Sequence, residues 1–157
     1  MYAYDNPDKE LAKMEDTQHG IVSFFWAKDS VQLLVFSELM YKVSIFDLHN
    51  QTVFHIKGPK FSNSKGCAFN SNGKFMALLE KHDCKDYLTV YFTKDWKVVN
   101  TYFLELFDSA EVRWSPNDSV ITVWDNCVNY RLLAYCHITG LKKKYEPYTY
   151  ALGIKSV

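Results

Sequence analysis

A chain of 157 residues with 48% apolar and 23% charged residues is sized for one domain with a packed core, which excludes wholesale disorder. Eighteen basic and eighteen acidic residues cancel, so no global field collects phosphate backbones or anionic lipid, and nucleic acid is disfavoured as the main partner. Eleven Tyr, eleven Phe and four Trp lean toward strands, and no secretory signal or run of about 18 apolar residues occurs, so an all-β cytosolic or nuclear protein is expected.

In chain order, residues 1–19 are expected to be flexible or a short helix. Asn6 would cap it, Pro7 would sit in its first turn, and Leu11 and Met14 are three apart. A self-similar pattern follows. "VSFFWAKDSVQLLVFS" leads to "KVSIFDL", "KGCAFNSNGKFMALLE" to "DYLTVYF", and "AEVRWSPNDSVITVWD" to "YRLLAYC". Each unit has an aromatic closing one apolar strand, a polar turn, a second apolar strand, a gap and a third strand. Gly73 after Asn72 supplies the positive φ of a tight hairpin, and Pro116 fits a turn position where its fixed φ costs nothing.

The aromatic anchors Trp26, Phe69 and Trp114 lie 43 and 45 residues apart, and the third strands begin near Val43, Leu88 and Leu132, 45 and 44 apart. A repeat of about 40 to 45 residues is the length of a four-stranded propeller blade. A fourth strand is expected at Thr52 to Ile56 and at Trp96 to Tyr102, with a poorer one near Tyr145. The first strands alternate, with Val22, Phe24 and Trp26 on one face. In the second strands Leu33 and Val35 oppose Leu34 and Phe36, and Met76 and Leu78 oppose Ala77 and Leu79, so both faces must be covered. Radial stacking of small sheets provides that cover. The expected fold is an all-β, WD-repeat β-propeller fragment with about three four-stranded antiparallel blades, over about 20–60, 61–104 and 105–150, and the start of a fourth at 151–157. The Trp124-Asp125 pair falls at the end of a second strand, level with Phe36-Ser37 and Leu79-Glu80, whereas a WD blade closes its third strand with that pair. The equivalents there are Phe46-Asp47, Tyr91-Phe92 and Tyr135-Cys136.

Chemical motifs are scarce. His82, Asp83, Cys84 and Asp86 cluster, but only His82 and Cys84 are close soft ligands, so a polar loop is favoured over zinc, with Asp86 bonding amides of its own turn. Cys136 and His137 point to opposite faces of a strand, and no nucleophile elbow, phosphate-binding loop or zinc-protease helix is present, so neither catalysis nor a cofactor is expected. Cys67, Cys84, Cys127 and Cys136 are expected as small buried hydrophobes. Polar connections at 49–51, 57–65, 80–86 and 125–129 are candidate interaction segments. Their candidate contact residues are Lys81, His82, Asp83, Lys85, Asp86, Asp125 and Asn126, together with Lys142, Lys143 and Lys144. The last three precede Tyr145, Tyr148 and Tyr150, which gives the alternative of an RNA- or ribosome-associated propeller fragment of translation-factor type gripping a single strand by charge and stacking.

The stretches "HDCKDYLTVYFTKDW" (82–96), "VRWSPNDSVITVWDN" (112–126) and "YALGIKSV" (150–157) resemble the central blades of the centrosomal and spindle-pole WD-repeat family encoded antisense to a p53-family gene, over about 20–157. The resemblance implies a non-enzymatic scaffold. Its implied partners are a coiled-coil centriolar-satellite or spindle-pole anchoring protein and a minus-end-directed kinesin. It further implies roles in microtubule minus-end anchoring, spindle organisation and cilium assembly. No functional residue is carried over from it. Residues 1–19 do not match the blade expected to precede, and the family continues past "GIKSV", so a piece of a longer propeller, with its remaining blades lying outside this chain, is expected.

Overall fold

The computed structural model describes residues 2–3, 6–10, 20–37, 42–106, 108–128 and 131–145. Strands β1 (Tyr2–Ala3) and β2 (Asn6–Glu10) pair as a small antiparallel ribbon. Asn6 therefore begins a strand and not a helix, because a few residues of helix nucleate poorly without a packed face. Leu11 and Met14 lie outside the described residues.

Three antiparallel four-stranded sheets follow. Blade 1 holds β3 (Ile21–Trp26), β4 (Gln32–Ser37), β5 (Lys42–Asp47) and β6 (Thr52–Lys57). Blade 2 holds β7 (Cys67–Phe69), β8 (Phe75–His82), β9 (Lys85–Phe92) and β10 (Lys97–Phe103), and blade 3 holds β11 (Ser109–Trp114), β12 (Val120–Asp125), β13 (Leu132–Cys136) and β14 (Lys142–Tyr145). Within each blade the strands lie side by side in chain order. Before β7, the chain from Gly58 to Lys60 already pairs with β8 of blade 2 through Lys60 N to Leu79 O at 2.8 Å and Lys81 N to Gly58 O at 2.9 Å. It then makes a short 3-10 turn at Ser64–Gly66.

The repeat is written in the backbone as well as in side chains. After each first strand, Ser30, Gly73 and Asp118 adopt positive φ of 59°, 72° and 57°, and each donates its amide to the carbonyl three residues earlier. After each third strand, Gln51, Trp96 and Gly140 also adopt positive φ, of 54°, 55° and 70°, and Trp96 and Gly140 donate their amides to the carbonyl four residues earlier. Left-handed residues at fixed places close the four- and five-residue hairpins that join these strands in every blade.

The apolar residues fill two seams. Between blades 1 and 2 lie Leu34, Phe36, Val43, Ile45 and Ile56 against Cys67, Met76, Leu78, Tyr91 and Trp96. Between blades 2 and 3 lie Ala77, Leu79, Leu88, Val90 and Leu104 against Val112, Ile121, Val123, Leu133 and Tyr135. Consecutive residues of β4 and β8 thus serve opposite faces, which is why those strands are apolar throughout. Each fully buried aliphatic or aromatic side chain contributes about 1.5–3 kcal/mol. The outward faces of the end blades differ: Phe24 is 65% exposed and Trp124 42%. Phe24 stands one pleat from Trp26, whose counterparts Phe69 and Trp114 pack against the seams.

The poorer fourth strand expected near Tyr145 is β14, the outer strand of blade 3, whose four residues pair with the consecutive residues Leu132 to Tyr135 of β13. One further expectation is corrected. Of the cysteines, Cys67 is buried, with its thiol pushed up to about 12 by desolvation, but Cys84 and Cys127 are exposed and Cys136 is half-buried. The turns set this, because Cys84 and Cys127 sit where no neighbouring blade covers them. The start of a fourth blade at 151–157 lies outside the described residues.

Candidate interaction surface on one rim

In a meander, successive turns fall at opposite ends of the sheet. The β8–β9 turn, the β6–β7 and β10–β11 connections and the β12–β13 connection therefore share one rim. The candidate segments 57–65 and 80–86 and the described residues 125–128 of the segment 125–129 are gathered there, while 49–51 joins β5 to β6 on the opposite rim.

The β8–β9 turn is a two-residue hairpin. His82 pairs with Lys85, and Asp83 and Cys84 between them have φ of 49° and 60°. This is the mirror-image turn that suits twisted strands, and two non-glycine residues occupy it at a cost of about 1–2 kcal/mol each. The turn presents Lys81, His82, Asp83, Cys84 and Lys85 to solvent. Beside it, His82, Tyr87 and Phe103 form an aromatic ladder with ring centroids 5.9 and 5.8 Å apart. The His82 side chain is 48% and Phe103 50% exposed. Gly58, with φ of 73°, supports the ladder from beneath: a Cβ there would lie 2.4 Å from His82 Cε1.

Under the rim, buried polar groups are spent on structure. The Lys60 ammonium reaches Asp86 Oδ2 at 2.5 Å, Asp108 Oδ1 at 2.6 Å and the Ser109 carbonyl at 2.6 Å. Asp86 Oδ2 also accepts from the Ser109 amide at 2.9 Å and its hydroxyl at 2.7 Å. Burial pushes the Asp86 carboxyl up, but the Lys60 ammonium and the two Ser109 donors outweigh it and hold the group below the usual carboxylate range. Asp86 thus bonds across to blade 3 and not to its own turn, because it lies within β9, paired with Lys81, rather than in a loop. Asp125 is likewise buried, accepting from the amides of Asp108 and Asn126 at 2.9 Å. Glu80 accepts from Thr89 Oγ1 at 2.6 Å and Tyr91 Oη at 2.5 Å, and desolvation, then that carboxylate, raises the Tyr91 phenol. These groups are satisfied anchors.

Of the predicted contact residues, Lys81, His82, Asp83 and Lys85 form one exposed group. Asp86 and Asp125 are interior, and Asn126 is half-buried beside Asp125. Lys142, Lys143 and Lys144 lie on β14, where alternation sends Lys143 to the opposite face from its neighbours, and Lys142 is engaged by Glu105 at 2.9 Å. No group of three or more metal-ligating side chains converges among the described residues. No helix among them is long and apolar enough to cross a membrane. Sequence reasoning missed Lys60, Ser109, Tyr87 and Phe103; alternation in β9 and β10 marks the last two as facing one way, but nothing local marks Lys60.

No protein-family profile matches the chain. It is 31% identical over 145 residues to the WD repeat-containing protein WRAP73 of Mus musculus, covering 92% of this chain and 31% of that protein. It is 26% identical over 132 residues to an uncharacterised WD repeat-containing protein of Schizosaccharomyces pombe, covering 83% of this chain and 27% of the relative. Among solved structures, a eukaryotic initiation factor superposes with a TM-score of 0.59 at 17% identity, covering 84% of this chain and 34% of that one. TolB from Acinetobacter baumannii gives 0.54 at 16% over 80% and 32%, and Saccharomyces cerevisiae Sqt1 gives 0.54 at 15% over 80% and 34%. The chain spans about a third of the length of the curated relatives it matches.

Proposed function

We propose that this chain, a set of WD-repeat propeller blades similar to WRAP73, is a non-enzymatic protein-interaction scaffold of the centrosome or spindle pole. The observation that carries the scaffold reading is the division of labour on the rim. Buried carboxylates and Lys60 fix the blades to one another, while the residues left to solvent in the β8–β9 turn form one group. Rigid blades hold such turns at fixed geometry, which suits recognition.

The centrosomal assignment rests on the resemblance of the residues at 82–96 and 112–126. In this reading the protein supports microtubule minus-end anchoring, spindle organisation and cilium assembly. It acts with a coiled-coil centriolar-satellite or spindle-pole protein and a minus-end-directed kinesin. Proximity labelling with the full-length protein in dividing cells tests this. Enrichment of spindle-pole coiled-coil proteins is expected, and a neighbour set devoid of centrosomal components overturns it.

A further inference from the structure

We propose that Asn72 and Gly73, in the turn between β7 and β8, form a latent self-modification site that the packing of three blades holds shut. Asn72 is the only asparagine of the chain followed by glycine. That pair is chemically labile, because an amide nitrogen unhindered by a side chain can attack the carboxamide before it. In the reaction the Gly73 amide gives its proton to hydroxide, and its nitrogen bonds to Asn72 Cγ. The Cγ–Nδ2 bond breaks, and Nδ2 takes a proton from water and leaves as ammonia. Water then opens the cyclic imide at either carbonyl, giving aspartate or isoaspartate at this position. Hydroxide and water are the only co-reactants.

Both reacting groups are engaged in the folded turn. The Gly73 amide donates to the Asn70 carbonyl at 3.1 Å, so removing its proton would set an anion against that oxygen. Asn72 Oδ1 accepts from the Lys74 amide at 2.9 Å, which commits the carboxamide to Lys74, whereas ring closure requires it to swing onto the Gly73 nitrogen. The turn is also clamped from three sides. Within blade 2, Thr93 Oγ1 donates to the Gly73 carbonyl at 2.7 Å. From blade 1, Lys28 Nζ donates to the Ser71 carbonyl at 3.1 Å, and its stem lies so close that a Cβ on Gly73 would meet Lys28 Cβ at 2.8 Å. From blade 3, Asp118 accepts from the Ser71 amide at 2.7 Å, from the Ser71 hydroxyl and from Asn70 Nδ2 at 3.3 Å. Asn72 itself is exposed, so water and hydroxide reach it and only the conformation is withheld. Isoaspartate adds a main-chain carbon between residues 72 and 73, inside the hairpin that sets Phe69 opposite Met76. A transient opening of the blades thus leaves a permanent mark on the turn where they meet.

Peptide-mapping mass spectrometry of the full chain, incubated at mildly alkaline pH, tests this against the same chain unfolded in guanidinium chloride. Conversion at Asn72 is expected to run about 30-fold slower in the folded chain, with isoaspartate among the products of both. Asp118→Ala frees the turn from blade 3 and should speed conversion in the folded chain about 5-fold, and Lys28→Ala about 3-fold. Val43→Ala weakens the first seam without touching the turn, and it should leave the rate unchanged. Circular dichroism in the same buffer reports whether each variant is folded. Equal rates in the folded and unfolded chain, aspartate without isoaspartate, indifference to Asp118→Ala, or equal acceleration by Val43→Ala overturns the assignment. Where Asp118→Ala fails to fold, Lys28→Ala, which removes one exposed side chain, decides in its place.

Discussion

The two seams are assembled on the same plan from different materials. Blade 1 meets blade 2 through large side chains, with Phe25, Leu34 and Phe36 facing Met76, Leu78 and Trp96. Blade 2 meets blade 3 across the smaller Ala68 and Ala77, and there the β11 backbone comes close to β7 and β8 along their length. That approach lets polar groups reach across. Trp114 Nε1 donates to Ala68 O at 2.9 Å, Asn100 Nδ2 to His137 O at 2.9 Å, and the Ser71 amide to Asp118 Oδ1 at 2.7 Å. The Lys60–Asp86–Ser109 node lies in the same seam. Across the first seam the ties recorded are Lys28 to the Ser71 carbonyl and Ser23 to the Ser62 carbonyl. Small residues on one face thus exchange hydrophobic area for directional bonds; the first seam holds by area, the second by area plus polar contacts.

Substitutions can break this contrast at either end. Phe36→Ala removes a fully buried ring from the first seam, and a loss of about 4 kcal/mol is expected in urea unfolding. Asp86→Ala strips the node of its buried carboxylate and leaves Lys60 on Asp108 and Ser109 alone; about 3 kcal/mol should be lost, and Lys60→Met added to Asp86→Leu should recover most of it. Ala77→Leu forces the second seam apart and should cost about 2 kcal/mol, although it adds apolar volume. The smallest effect, about 1 kcal/mol, is expected from Trp114→Phe, which forfeits the bond to Ala68 while keeping an aromatic ring on the partly buried seam edge.

Acid sharpens the same contrast. The Asp86 carboxyl, which burial raises but Lys60 and Ser109 bring net below its ordinary range, stabilises the fold above the ordinary carboxylate pKa; that contribution disappears as pH falls through the lower folded value. Asp118 is lowered by its Ser71 hydroxyl and amide bonds, so it behaves with the same sign. Hydrogen exchange at falling pH should therefore show blade 3 amides opening before those between blades 1 and 2. Coincident opening of both seams would remove the distinction.

The blades were legible because their signals are local. A polar turn ending in a left-handed residue recurs beside each first strand, and strands apolar on both faces announce two-sided burial. The node was illegible for a matching reason. Lys60 lies 26 residues before Asp86 and 48 before Asp108, so only the stacking of finished blades brings them together. The aromatic ladder is intermediate. The register of β9 against β10 sets Tyr87 beside Phe103, and that register depends on a turn whose left-handed residue is Trp96, a type that no turn rule would nominate, and on a register shift between Val98 and Asn100 that moves the pairing by one residue. The Asn6-Pro7 pattern misled because a capping sequence specifies a start only if a packed helix follows.

Trp96 sits under two incompatible demands. Its backbone favours glycine, as at the equivalent Gly140, where an added Cβ would touch nothing within 4 Å. Its indole, 7% exposed, roofs the boundary of blades 1 and 2, which glycine would leave hollow. No single replacement relieves the torsion and keeps the roof, so change at this site must wait for a neighbour to grow into the space first, tying the fate of one hairpin to the shape of the blade beside it.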